Sequence, residues 1–490
     1  MSLKSSILRS FFSLRSRSVE RFLRRPLDVQ REQFDRLLRE GARTDFGRRY
    51  GLSEIRTPEE FARRVDRFDY DSFKGYIDRM LAGEADVAAP GRVRWFARSS
   101  GTTSERSKYL PVNDVSLWRC HSRGLRDVAT FYVRQYPSTR VFEGKTLTLG
   151  GSCRRENGYV AGDLSALLIE RMSFWSGWFR TPCRETALIP DFARKVERYC
   201  RECAGERVTA FAGVPSWNLA LLRRMVEVTG RRNLCEVWPH LELFAHGGVG
   251  FEPYRTAFRE LIPSDAMHYM ETYNASEGFF AIADDASRND MLLMLDYGIY
   301  YEFRSGDEVV PLEGVQAGRR YAMLITSSNG LWRYEMGDVV EFTSTDPYRI
   351  RIVGRTRQYI NVFGEELIME NAERAVAAVA ARTGAAVGEY TAAPRYMTLQ
   401  GRGAHEWIVE FDHLPEQPET PESFATALDE ELRRVNSDYD AKRNSTMDRL
   451  LLHAVPSGTF ERWMVRHGKN KVPRLSNDRR VLEEILNEME

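Results

Sequence analysis

The chain has 490 residues, 42% hydrophobic and 29% charged, and its 71 basic residues stand against 70 acidic ones for a net charge of +1. That balance belongs to a soluble globular protein and lacks the strongly basic domain expected of a nucleic-acid binder. The length calls for two or three domains, and no apolar run reaches the 18 or so residues needed to span a bilayer, so stable membrane insertion is not expected.

Residues 1–40 mix apolar positions (Ile7, Leu8, Phe11, Phe12, Leu14, Val19, Phe22, Leu23) with Arg9, Arg15, Arg17, Arg21, Arg24 and Arg25. This pattern predicts an amphipathic helix packed on the domain behind it. A transit peptide or a surface-binding helix is the alternative. Phe34, Leu37 and Leu38 continue a helix that Gly41 ends.

Arg94-Trp95-Phe96-Ala97 reads as the end of a strand, and a loop rich in hydroxyls follows: Ser99, Ser100, Gly101, Thr102, Thr103 and Ser104, then Lys108. A glycine among hydroxyls lets successive N–H groups face one concavity, and the lysine adds a mobile positive charge, a combination suited to polyphosphate. A solvated turn is the plain alternative. Gly144-Lys145-Thr146 is not a Walker A ending, because Thr139 stands where that motif needs glycine. Gly248-Val249-Gly250 runs into Phe-Glu-Pro and so breaks the dinucleotide pattern.

Strands are predicted at 146–151, 208–215, 241–246 and 267–273, with a helix from Ser216 to about Val228 between the second and third. Buried strands alternating with helices imply a mainly parallel α/β sheet, where ligands bind beyond the carboxyl ends of strands. The six cysteines are scattered, and Cys200 and Cys203 sit in a helical stretch, 192–203, without a second pair at zinc spacing. From 291 to 353 the pattern turns to strands without helices, as in an antiparallel sheet or small barrel. Beyond Gly354-Arg355 come a helix near 370–381, a strand at 405–411, a helix at 422–436 and a basic tail. The expected fold is α/β. A large N-terminal domain, 1–354, has mixed, mainly parallel sheets and a small barrel-like part. A smaller mobile α/β domain, 355–490, follows.

Three further stretches carry chemistry: Tyr273-Asn274-Ala275-Ser276-Glu277, Tyr334-Glu335-Met336-Gly337-Asp338, and Gly354-Arg355 followed by Ile360-Asn361-Val362-Phe363-Gly364-Glu365-Glu366; near the end sits Gly468-Lys469-Asn470-Lys471-Val472-Pro473-Arg474. With Ser99–Lys108, and in this order, they resemble the core motifs of the adenylate-forming superfamily. The closer resemblance is to the Gretchen-Hagen-three, or auxin-responsive promoter, family of acyl-acid amido synthetases, of a bacterial type. It extends from Thr44-Asp45-Phe46-Gly47 through Gly213-Val214-Pro215-Ser216-Trp217 to Lys471-Val472-Pro473-Arg474. The pattern departs at Glu335, which takes the usual arginine position, with Arg333 two residues earlier, and at Glu105 and Arg106 in the loop.

The resemblance implies ATP and Mg²⁺ as cofactors. Ser99, Ser100, Gly101, Thr102, Thr103 and Lys108 would hold phosphates, Tyr273 would stack on adenine, and Asp338 would bind the ribose with support from Arg355. Gly248 and Ser276 complete the nucleotide-binding set. Glu277 would hold the metal, and Lys471 would bridge carboxylate and α-phosphate, with Lys469 its rival. Each could instead be ordinary structure: Tyr273 a core aromatic, Asp338 a turn residue, Lys471 a solvated charge. Trp217, Trp175 and Trp178 are candidates for an apolar acyl pocket. The implied reaction joins a small carboxylic acid to an amine, with an amino acid as the expected acceptor, through an acyl-adenylate. An acid–thiol ligase ending in acyl-CoA and a catalytically silent nucleotide-binding protein are the alternatives. A cytoplasmic monomer is expected.

Overall fold

The computed structural model describes residues 15–100, 107–172, 177–356, 358–413, 420–467, 469 and 471–487, without the side chains of Ser99, Ser100 and Ser107. Gly101, Thr102, Thr103 and Trp175, all named above, lie outside the described residues. Among the described residues no helix is long and apolar enough to cross a membrane.

One twelve-stranded sheet organises most of the chain. Its parallel part runs His268–Ala275, Leu243–Gly247, Val208–Gly213, Lys145–Thr148 and Arg180–Thr181. Helices cover these strands, so they carry apolar residues on both faces; Val208 to Phe211 are all buried. From His268–Ala275 the sheet continues antiparallel through Gly278–Ile282, Met291–Leu293, Tyr348–Arg355, Tyr334–Thr345, Arg320–Ser327, Ile299–Ser305 and Glu308–Pro311. The region read from sequence as a small barrel-like part is thus the antiparallel half of the same sheet. Period-two alternation gives the strands but not their partners, and Met291–Leu293 joins them to the parallel half through Gly278–Ile282.

A second, four-stranded sheet has the order Ser107–Val112, Trp95–Ser100, Tyr159–Gly162, Cys153–Glu156. The sequence alone suggests a strand end at Ala97 and a loop through Lys108. Instead the strand continues to Ser100 and a second begins at Ser107, with Ser99 opposite Lys108 in antiparallel register. Lys108 therefore has a fixed place on a strand beside the hydroxyl loop.

Residues 15–24 are helical, with Val19 and Phe22 buried. Arg15 anchors this helix, donating from Nη1 to Asp296 at 2.7 Å and from Nε to Asp127 at 2.9 Å. Beyond residue 358, a three-stranded sheet (Ala386–Arg395, Ala404–His413, Leu451–Val455) packs with helices Met369–Thr383 and Pro421–Val435. Its apolar interior is continuous with that of the parallel half. Ile360, Val362 and Phe363 share one buried cluster with Leu219, Leu222, Tyr254 and Phe258. Tyr254 Oη donates to the Val362 carbonyl at 2.6 Å, and Ser216 Oγ to that of Phe363 at 3.3 Å.

Candidate active site

The strand ends of the large sheet gather the predicted nucleotide residues. His268–Ala275 and Gly278–Ile282 form a hairpin with Ala275 opposite Gly278, so Ser276 and Glu277 are its two-residue turn. Tyr273, three residues before that turn, is buried, and its Oη donates to Asp338 Oδ2 at 2.5 Å. Its ring lies 4.9 Å from that of Phe280. Asp338 and Arg355 are cross-strand partners, and Arg355 Nε donates to Asp338 Oδ1 at 2.7 Å. Arg355 also lies 3.8 Å from Glu366 and over the Tyr359 ring at 5.0 Å.

Glu277 makes no side-chain hydrogen bond or ion pair to another described residue. Burial, and then the negative charge of Asp338, pushes its carboxyl up to about 7 against the opposing charges of Arg355 and Lys108. Burial lowers the Lys108 ammonium from the usual lysine range, while Glu366 and Glu277 work the other way. Lys108 lies 5.4 Å over the Tyr70 ring. Lys108, Glu277, Asp338, Arg355 and Glu366 thus form one network of mixed charge beside the hairpin turn of Ser276 and Glu277. A network with a lysine and a carboxylate not ion-paired to any described residue suits a ligand that carries both phosphates and a cation.

Gly248 follows the strand Leu243–Gly247 with φ +85, and a Cβ there would stand 3.3 Å from Val214 Cγ2, so the turn favours glycine. Trp217 lies in the first turn of helix Pro215–Thr229, with its Nε1 buried and without an acceptor. Lys442 sits over its ring at 4.1 Å. Trp178 is 62% exposed. Lys471 is exposed and makes no side-chain hydrogen bond or ion pair among the described residues. Lys469 is exposed as well. The chain around Lys471 is nevertheless fixed: Val472 is buried, and the Pro473 carbonyl accepts from Thr391 Oγ1 at 2.6 Å.

The two departures in the third motif have structural partners. Arg333, buried and at φ +42, donates to Glu302 at 2.9 Å and to the Val65 carbonyl at 2.7 Å. Glu335 accepts from Arg304 at 3.1 Å. Sequence reasoning placed Glu366 in a stretch expected to carry chemistry but gave it no role, and it did not identify Asp438 or Lys442. The available signal was Asn436-Ser437-Asp438, a helix start, since Asn436 caps the helix Ser437–Arg443.

The Arabidopsis thaliana protein GH3.9 is 24% identical over 278 aligned positions, covering 50% of this chain and 47% of that one, so the match spans about half of that relative's length. Indole-3-acetic acid-amido synthetase GH3.4 of Arabidopsis thaliana aligns at 21% identity over 537 aligned residues, covering 91% of this chain and 87% of that one. The solved structure of the GH3.15 acyl acid amido synthetase shares the fold, with a TM-score of 0.60 at 17% identity over 94% of this chain and 93% of the other. The GH3 family N-terminal domain matches residues 15–267, the GH3 family central domain residues 292–355 and the GH3 family C-terminal domain residues 370–480. With all three domains present in order and spanning most of its length, the chain belongs to the GH3 family.

Proposed function

We propose that this chain is an ATP-dependent acyl-acid amido synthetase. The observation that carries the reading is the hold on Asp338: Tyr273 and Arg355 each engage one carboxylate oxygen, beside Glu277 and Lys108. Each oxygen keeps a free lone pair, so two adjacent ribose hydroxyls can donate to Asp338. The relatives named above for amido synthesis support the same reading.

In the first step an oxygen of the substrate carboxylate attacks the α-phosphorus of ATP. The bond from that phosphorus to the bridging oxygen breaks, and pyrophosphate leaves. Lys108 and the 99–103 segment neutralise the phosphates, Gly248, Tyr273 and Ser276 border the base and sugar, and Asp338 with Arg355 fixes the ribose. This is catalysis by positioning and electrostatics. Glu277, a carboxylate without a side-chain partner among the described residues, fits a hard cation, and Mg²⁺ bound there would offset phosphate charge. Lys471 would act in this step through movement of the 355–490 part, since it stands exposed here. In the second step an amine attacks the acyl carbon and AMP leaves. Trp217 stands at the substrate side of the site, and a cytoplasmic monomer is part of the reading.

The test is pyrophosphate release with ATP and Mg²⁺ over a panel of carboxylic acids, with amines or coenzyme A added in turn and products read by mass spectrometry. Amide with release of AMP is expected. Thioester instead of amide assigns the acid–thiol reaction, and nucleotide binding without pyrophosphate release from any acid sinks the enzymatic reading.

A further inference from the structure

The turn 361–366 carries a carboxylate that the reaction above leaves unused. It lies between the short strands Tyr359–Ile360 and Leu367–Ile368, which pair with Ile360 opposite Leu367. Gly364 and Glu366 both have positive φ there, +91 and +37. Glycine adopts that geometry freely, whereas a glutamate is strained in it, and such strain persists only where the surroundings impose it. The surroundings do so here. The Glu366 N–H donates to Asn361 Oδ1 at 3.3 Å, and Asn436 Nδ2 donates to the Glu366 carbonyl at 3.3 Å. The buried Glu365 carboxylate accepts from the N–H groups of Val362 at 3.2 Å and Phe363 at 2.7 Å, and it bonds to His405 Nε2 at 2.9 Å. The turn so fixed leaves the Glu366 carboxylate 3.8 Å from Arg355.

That placement sets a negative charge against the nucleotide. Arg355 fixes Asp338, and Lys108 is the cation assigned to the phosphates. Glu366 acts on both. Among the charges on Arg355 it is second only to Asp338, and on Lys108 it is the largest. With Glu277 ionised, the network holds two positive charges, Lys108 and Arg355, against three negative ones, Glu277, Asp338 and Glu366. The α-phosphate of an adenylate adds little to that excess. The β- and γ-phosphates of ATP would bring several further negative charges beside Lys108, and like charges in a partly buried cleft repel far more strongly than in water. Glu366 lies beyond Gly354-Arg355, on the same part of the chain as Lys471. The arrangement that brings Glu366 to Arg355 is therefore one that leaves Lys471 exposed.

We propose that Glu366 discriminates between the two nucleotide states of the reaction: in this arrangement its carboxylate stands in for the β- and γ-phosphates in balancing Lys108 and Arg355, and it excludes a ligand that still carries them. The inference rests on the amido synthetase reading above and adds a specificity-determining residue to it. Acyl-adenylate and AMP fit this arrangement. ATP and pyrophosphate do not, so ATP must displace the 355–490 part and take Glu366 with it. The first step then proceeds only with Glu366 withdrawn, and Glu366 returns only once pyrophosphate has left. Glu366 makes and breaks no bond in either step. It acts through its charge on the phosphates, and the strained turn supplies the one position from which that charge reaches Arg355 and Lys108 together.

The test is calorimetric titration of the full chain with AMP, with ATP and, on AMP-saturated protein, with pyrophosphate, at one fixed Mg²⁺ concentration. Glu366→Gln keeps the shape of the side chain and removes its charge. It is expected to raise the affinity for ATP relative to AMP about tenfold, the effect of one partly screened like charge, because wild type must first populate the displaced arrangement. Pyrophosphate should gain by a similar factor. Glu366→Asp keeps the charge and should stay close to wild type, and Glu366→Ala is the second neutral variant. AMP binding reports that each variant is folded. An unchanged ratio of ATP to AMP affinity in the neutral variants, or the same gain in Glu366→Asp, overturns the assignment. So does loss of AMP binding in both neutral variants, which would put Glu366 in the AMP site itself. Wild type that binds neither nucleotide refutes the underlying nucleotide reading instead.

Discussion

Tyr273 and Asp338, 65 residues apart in the chain, meet in a buried 2.5 Å hydrogen bond from phenol to carboxylate. The hydroxyl is held un-ionised: burial first, then the charge of Asp338, raises it well above the usual tyrosine range. The phenol is thus a fixed neutral donor that orients Asp338 while Arg355 supplies the charge.

The two partners should therefore differ in effect. Asp338→Ala removes the charged acceptor and should weaken ATP binding by about 1.5–3 kcal/mol, whereas Tyr273→Phe loses a positioning donor and should cost about 0.5–1.5 kcal/mol. Calorimetric titration with ATP measures both. A larger loss in Tyr273→Phe would mean that the hydroxyl contacts nucleotide directly.

Glu277 gives a pH dependence with a defined sign. Its carboxyl sits near 7 in the folded protein and near the ordinary glutamate value when unfolded, so between those values the folded state holds the extra proton. Ligand-free stability should fall as pH rises through that window and level off above it. Glu277→Gln should flatten this part of the profile and be more stable than wild type above pH 7. Denaturant unfolding across the window tests it; parallel profiles would mean that the carboxyl is solvated.

The same substitution should raise the Mg²⁺ concentration needed for pyrophosphate release, because a neutral amide oxygen is a weaker ligand for a hard cation. Superimposable Mg²⁺ titrations for the two proteins would remove the metal role.

Lys471→Ala should slow adenylation far more than amide formation from a preformed acyl-adenylate, since an exposed lysine serves a site only when carried to it. Single-turnover kinetics of each half-reaction separates the steps. An equal loss in both would assign Lys471 to a shared site or to the fold, and a selective loss in Lys469→Ala would assign the role to that neighbour.

Arg333→Met should destabilise the fold by about 3–5 kcal/mol, because it strands the buried Glu302 carboxylate. Replacing both partners with apolar residues should recover much of the loss. Urea unfolding of the single and double variants gives the comparison.

Where local pattern decided structure, the sequence was readable. The helix at 192–203 has the bounds expected from its spacing, and Pro215–Thr229 differs from its expectation by one residue at each end. The Tyr273–Glu277 and Tyr334–Asp338 motifs stood out because each is a short contiguous run on one strand or hairpin. Harder to see was Cys153–Glu156, whose Arg154 and Arg155 are exposed and give no apolar alternation, so the second sheet went unread. The grouping of Glu366, Asp438 and Lys442 was also invisible. It depends on Asn436 bonding across 70 residues to the Glu366 carbonyl, and no periodicity encodes that contact.

The apolar continuity between Phe363 and the helix Pro215–Thr229 sets terms for any large movement of the C-terminal residues. Rotation about 355–358 would carry Ile360, Val362 and Phe363 with it, all of them buried. Exposing each such side chain costs about 1.5–3 kcal/mol. Half-way positions would therefore be sparsely populated unless a second apolar bed received these side chains. Motion on those terms is a switch between two seated arrangements rather than diffusion on a tether, and its rate should rise steeply with temperature.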